Sequence, residues 1–227
     1  MNIEKTIKDC EIYLKQIKQY DPDPYYVNYF FNEYINSVND VFNGIFEEGS
    51  RDFGLFISEK ISQKKFNEKA KIKSEQNAMK FSEWYSIKYN QEHENPYPNF
   101  IKKICQFNNK FEKLPKIKIM IRASDRYKDD VNQQIKVNLS HEKLRSKEEL
   151  EIEIKRQLPI FLETINRKRS KNNEPKVGEN QVTASAFLEI EERKDIEIVY
   201  TAEIYIPVLK RLVEESRKKI KELTTWK

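Results

Sequence analysis

Residues Pro24 to Phe46, PYYVNYFFNEYINSVNDVFNGIF, are the most apolar and aromatic run in the chain, and a fold must bury most of them. Val27, Phe30, Phe31, Tyr34, Ile35, Val38, Val41, Phe42 and Ile45 recur at steps of three and four. That period gathers side chains onto one helical face. Tyr25, Tyr26 and Tyr29 widen the face, so neighbours are expected on more than one side. Pro24 suits a first helical turn, where a missing N–H costs nothing, and Asp23 before it is the N-cap. The run is expected to be the helix around which the others pack.

Before it, Ile3, Ile7, Cys10, Leu14 and Ile17 form an apolar seam on a helix that ends near Tyr20. The turn Asp21–Pro22–Asp23–Pro24 then forbids helical continuation and makes the two helices an antiparallel hairpin. Gly49, Ser50 and Gly54 read as a break, followed by a short helix over Asp52 to Ile61 with Phe53, Phe56, Ile57 and Ile61 inward. Ser62 to Gln76 reads as a solvated helix or connector with Phe66 and Ala70 as its apolar points. Helices are expected again over Ala78 to Tyr89 and Asn99 to Leu114, the latter ended by Pro115.

Beyond Pro115 the period changes. Ile117, Ile119 and Ile121, then Ile135, Val137 and Leu139, then Val182, Ala184, Ala186, Leu188 and Ile190, each alternate at period two and read as antiparallel strands. Ser146 and Glu149 resemble a capping box for a helix through Ile165 that Pro159 kinks or divides. The last element, Ile196 to Leu223, carries an a/d seam that Pro207 kinks or splits into two shorter helices. The fold class is therefore mainly α: an antiparallel helical bundle (1–115), a strand-containing insertion with one helix and a basic loop (116–194), and a long kinked C-terminal helix (195–227) returning to the bundle.

Four glycines and the lack of GxGxxG or GxxxxGK[ST] exclude a glycine-rich nucleotide site, and no cofactor is expected. Cys10 and Cys105 each sit on an apolar helical stripe and read as buried reduced thiols. With His93 and His141 they have no metal-ligand spacing. His93 falls in the polar NQEHENPYP stretch and reads as an exposed loop residue. The pairs Glu47–Glu48, Asp129–Asp130 and Glu191–Glu192 are adjacent, so they diverge and read as surface charge. No run of about 18 apolar residues marks a membrane span, and the charged N-terminus lacks a signal-peptide core, so a cytoplasmic location is expected.

The net charge of +5 is uneven: Met1 to Pro115 holds 17 Lys+Arg against 17 Asp+Glu, so the second half carries the whole excess. Any polyanionic partner belongs there. Asn166 to Asn180 is the densest basic stretch, and Arg167, Lys168, Arg169 and Lys171, joined by Arg122, are the candidate nucleic-acid contacts. The competing reading is a solvated loop, because no aromatics are interleaved to stack on bases.

The aromatic run Tyr29-Phe30-Phe31-Asn32-Glu33-Tyr34-Ile35-Asn36-Ser37-Val38, with Phe81-Ser82-Glu83-Trp84-Tyr85, resembles the HEPN superfamily of small helical bundles over about the first half of the chain. The resemblance implies metal-independent RNA cleavage by an Arg followed four to six residues later by a His near the end of the fourth helix. There the histidine moves a proton at the 2′-hydroxyl and the arginine steadies phosphate charge. This chain has Gln106-Phe107-Asn108-Asn109-Lys110-Phe111-Glu112 in that place, and no Arg precedes His93 or His141 at that distance. The expectation is a non-catalytic binding module contacting nucleic acid or a partner protein. A HEPN-type endoribonuclease with a displaced catalytic set and a homodimer joined through the C-terminal seam are the alternatives.

Overall fold

In the computed structural model, which describes residues 2–56, 61–108, 117–125, 128–134, 147–191 and 194–225, the aromatic run forms most of a 29-residue helix, α2 (Pro24–Asp52). It follows α1 (Ile3–Tyr20) across a turn whose Asp21–Pro22 peptide is cis. The Asp23 carboxylate accepts from the backbone N–H of Tyr25 at 2.9 Å and of Tyr26 at 3.3 Å, so the cap and the first-turn proline stand as their chemistry predicts. Three more helices follow: α3 (Gln63–Ile72), α4 (Gln76–Glu92) and α5 (Pro96–Asn108). Strands β1 (Ile117–Asp125) and β2 (Lys128–Gln134) precede α6 (Lys147–Lys171). Strands β3 (Val182–Glu191) and β4 (Lys194–Glu197) lead into α7 (Ile198–Thr224). The architecture is mainly α with a small antiparallel sheet of order β2-β1-β3-β4.

By contacts the chain divides into two units: Met1–Lys15, Phe31–Leu114 and Tyr200–Lys227 make the first, and Gln16–Phe30 with Pro115–Val199 make the second. In the first, Phe31, Tyr34, Ile35, Val38, Val41 and Ile45 of α2 are buried, as are Ala202, Tyr205, Leu209, Leu212 and Ile220 of α7. Phe46 meets the rings of Phe66, Phe81 and Tyr85 at 4.8–6.0 Å, an aromatic core shared by α2, α3 and α4. Of the buried hydroxyls, that of Tyr34 donates to the carbonyl of Ala202 at 2.9 Å, whereas those of Tyr85 and Ser216 have no partner among the described residues. At the other end of α4, Asn77 donates to the carbonyl of Leu223 at 2.9 Å.

In the second unit, α6 lays Leu150, Phe161 and Ile165 onto Val177 and Val182, with Ile154, Leu158 and Leu162 flanking. The strand register sets Ile119 of β1 opposite Ala186 of β3. The backbone N–H of Ala186 donates to the Asp21 carboxylate at 2.7 Å.

Several expectations fail for local reasons. Gly49 and Ser50 lie buried inside α2, and the break comes only at Gly54, which has φ +68°. Of the short helix expected over Asp52 to Ile61, residues 53–56 are not helical and 57–60 lie outside the described residues: Phe53, Leu55 and Ile61 are buried, whereas Phe56 is exposed with Lys73 Nζ 4.7 Å from its ring. Tyr25, Tyr26 and Tyr29 are on the outside of α2 instead of widening its buried face. Ala123, Asp125 and residues 128–134, which lie between the two period-two runs, extend the β1–β2 ladder. Neither Pro159 nor Pro207 divides its helix, and both prolines are exposed. The basic stretch is no loop at its start, because α6 runs on to Lys171. Ile135–Leu139, His141, Ser146 and Pro115 lie outside the described residues.

Candidate functional site

Of the residues marked as nucleic-acid contacts, Arg167, Lys168, Arg169 and Lys171 fall at the end of α6 and Arg122 in β1. Arg169 is buried and donates to the carbonyl of Pro175 at 2.9 Å, while Asn166 exchanges hydrogen bonds with Val177, donating to its carbonyl at 3.0 Å and accepting from its N–H at 2.8 Å. These bonds fasten residues 175–177 back along α6 and account for the helix outlasting its apolar periodicity. Arg167 is exposed and pairs with Glu163 one turn earlier at 3.0 Å. Lys168 and Lys171 are exposed in the last turn, where cations complement the carbonyl end of the helix. Arg122 belongs to β1, its Cα opposite Thr183 of β3 and Asn132 of β2, and its side chain lies outside the described ones. The basic stretch is thus divided between the end of a helix and a pinned loop.

Lys210, Arg211, Arg217, Lys218 and Lys219 of the last helix are likewise engaged. Tyr200 to Lys227 holds seven Lys+Arg against four Asp+Glu, so most of the chain's positive excess sits there. A shallow cavity of about 390 Å³ lies beside α1 and α7, with Ile7 and Val213 among its lining. Three of its cations answer to nearby carboxylates: Arg217 holds Glu48 at 2.6 Å and also Glu4, Lys218 holds Glu214 at 2.8 Å, and Lys210 holds Glu11 at 2.6 Å. The apolar seam of α7 is itself consumed within the first unit, with Ala202, Leu209, Val213, Ser216 and Ile220 all buried.

His93 corrects the loop reading. It is the residue that follows α4 and is only 2% exposed. Its ring lies 4.1 Å from that of Tyr89, with Nδ1 at 2.5 Å from the Tyr89 carbonyl oxygen and Nε2 at 2.7 Å from the Tyr205 hydroxyl. Burial pulls the imidazole down to about 4, against a smaller opposing effect of the bond to Tyr89. The imidazole is thus buried with a partner at each ring nitrogen. The two thiols are also buried and unpaired, and burial pushes Cys10 up to about 12.

What remains exposed and unusual is the tip of the α1–α2 hairpin, within the second unit. Tyr20 stacks on Tyr26 at 4.6 Å and on Phe30 at 5.5 Å, so one ring of α1 meets two rings spaced one turn apart on α2. Tyr25 and Tyr29, spaced the same way, contact Tyr26 and Phe30 edge-on at 5.3 and 5.2 Å. Tyr25 is 58% exposed, Tyr29 56% and Tyr26 41%. The sequence held the signal: at the helical period Tyr25 and Tyr29 fall on the far side of α2 from Phe31, Tyr34, Ile35 and Val38. Beneath the tip, Asp21 is raised to about 6 by burial, against the opposing hydrogen bonds of Ala186 and Ser185.

Among the described residues no three His, Cys, Asp or Glu side chains gather to hold a metal ion, and no helix is long and apolar enough to cross a membrane. Comparison of the chain with protein-family models, with curated proteins and with solved structures gave no match.

Proposed function

We propose that this chain is a cytoplasmic, non-catalytic interaction module that docks a partner protein through the tyrosines at the α1–α2 turn. The observation that carries the reading is the exposure of Tyr25, Tyr26 and Tyr29 on a cluster already organised by Tyr20 and Phe30. Tyrosine offers a large contact area with only two side-chain torsions to freeze, and it is enriched among the residues that dominate protein interfaces. Lys18 is the only cation between Gln16 and Phe30, where Asp21 and Asp23 are the anions, so the tip has no cationic surplus to attract a phosphate backbone. That balance favours a protein over a nucleic acid. The HEPN-like resemblance of the first half is consistent with binding, since His93 is committed to Tyr89 and Tyr205. The two unpaired thiols fit a reducing compartment.

Affinity capture with the wild-type chain, followed by titration of the purified captured protein, tests the reading. Loss of the central aromatics of an interface costs 2 kcal/mol or more, so Tyr25→Ser/Tyr29→Ser should weaken binding at least about 30-fold. Helix content by circular dichroism should not change. Equal affinity in the double variant would sink the proposal. So would cleavage of single-stranded RNA by the wild-type chain in EDTA, or RNA binding that survives the double substitution.

A further inference from the structure

We propose that His93 and Tyr205 form an acid-operated latch between the end of α4 and the middle of α7. A carbonyl oxygen can only accept, so the contact of Nδ1 with Tyr89 O at 2.5 Å puts the proton of the neutral ring on Nδ1. Nε2 is then the acceptor, and the Tyr205 hydroxyl donates to it at 2.7 Å. Tyr205 is fully buried, and this imidazole is the acceptor that its hydroxyl has among the described residues.

A second proton, arriving at Nε2, leaves two donors facing each other across that distance. The hydroxyl must turn away into apolar surroundings, and a positive charge is left where water does not reach. One protonation therefore reverses the bond between the two helices, Nε2–H now donating to the Tyr205 oxygen, strips the hydroxyl proton of its acceptor and adds a buried charge at the same point.

The surrounding groups do not rescue the charged form. On α4, Tyr89 stacks on the ring and Glu92 is the nearest carboxylate, but Glu92 is already held by Arg211 of α7 and by Lys88. Lys88 also binds Glu215 of α7 at 2.9 Å, which occupies the next acid along. On α5, Lys102 repels an imidazolium and the thiol of Cys105 is neutral, its ionisation suppressed by burial. On α2, Tyr34 spends its hydroxyl on Ala202.

The direction follows from linkage. The unfolded chain takes up its proton near the ordinary histidine value of about 6.5, whereas the buried ring resists to a much lower pH. Latch stability is complete above the first value and falls through the window below it.

The full-length chain, labelled at its histidines and followed by NMR from pH 8 to pH 3.5, reads the ring directly, with His93→Gln identifying its signal. His93 is expected to stay neutral below pH 5. From pH 7 to pH 4 the unfolding equilibrium constant should rise about a hundredfold more in the wild type than in His93→Gln. A wild-type His93 that titrates near 6.5, or an acid response of His93→Gln equal to the wild type's, would each overturn the latch.

Discussion

Two glycines five residues apart at the end of α2 serve opposite needs. A Cβ on Gly49 would meet Phe81 Cε1 at 3.4 Å, Ile220 Cδ1 at 3.5 Å and Phe66 Cε2 at 3.5 Å, which is ordinary contact and no clash. A helical glycine forfeits roughly 0.5–1 kcal/mol relative to alanine. Gly49→Ala should therefore raise stability by about that amount in urea unfolding, whereas Gly49→Val, with two methyl groups more, should lower it by about 1–3 kcal/mol. A destabilised alanine variant would mean that the aromatic core around Phe66 and Phe81 cannot accept even one carbon. Gly54, by contrast, needs its lack of a side chain for φ +68°. Nothing in the local sequence tells a packed helical glycine from a terminating one, which is why both read as a break.

At the level of the element, three helices stop by one device. After α2, Leu55 N–H donates to Ser50 O and Gly54 N–H to Arg51 O. After α3, Glu75 N–H donates to Ala70 O and Ser74 N–H to Lys71 O, and after α6, Glu174 N–H donates to Arg169 O and Asn173 N–H to Ser170 O. Each is a Schellman closure, which places one residue in the left-handed region. That residue is Gly54, Ser74 at φ 53° or Asn173 at φ 56°. Serine pays a steric penalty there that glycine does not, so Ser74→Gly should stabilise the chain by about 1 kcal/mol. The check is a denaturation midpoint, with Gly54→Ala expected to move it the other way. The end of α1, the start of α2 and the buried stripe of α2 were legible because they depend on neighbours within a turn. The end of α6 was not, because Arg169 and Asn166 reach Pro175 and Val177 outside the helical period. His93 was missed for the same reason on a larger scale: Tyr205 lies 112 residues away.

For the whole molecule, acid acts with opposite sign on the two units. In the first, His93 is held near 4 by burial, so between about 6.5 and 4 the unfolded chain binds the extra proton and stability falls as pH falls. Glu92 adds to this: burial raises it, but Arg211 and Lys88 more than offset that and hold it below its ordinary range, so its contribution is also lost in acid. In the second unit, burial raises Asp21 from 3.8 to about 6, so the folded state keeps a proton that the unfolded chain gives up in that interval. Stability there is complete below about 4 and declines as pH rises through 6. At about 1.4 kcal/mol per unit, each of the His93 and Asp21 contributions is on the order of 3 kcal/mol across its window. A single melting temperature would blend two slopes that partly cancel, so hydrogen exchange resolved by residue is the measurement to make. Going from pH 7 to pH 4.5, protection factors around Tyr205 in α7 should fall while that of the Ala186 amide should rise. Asp21→Asn should abolish the rise and leave the fall, and His93→Gln the reverse. If both regions lost protection together in every variant, the two units would be one cooperative body and neither buried group would govern its own.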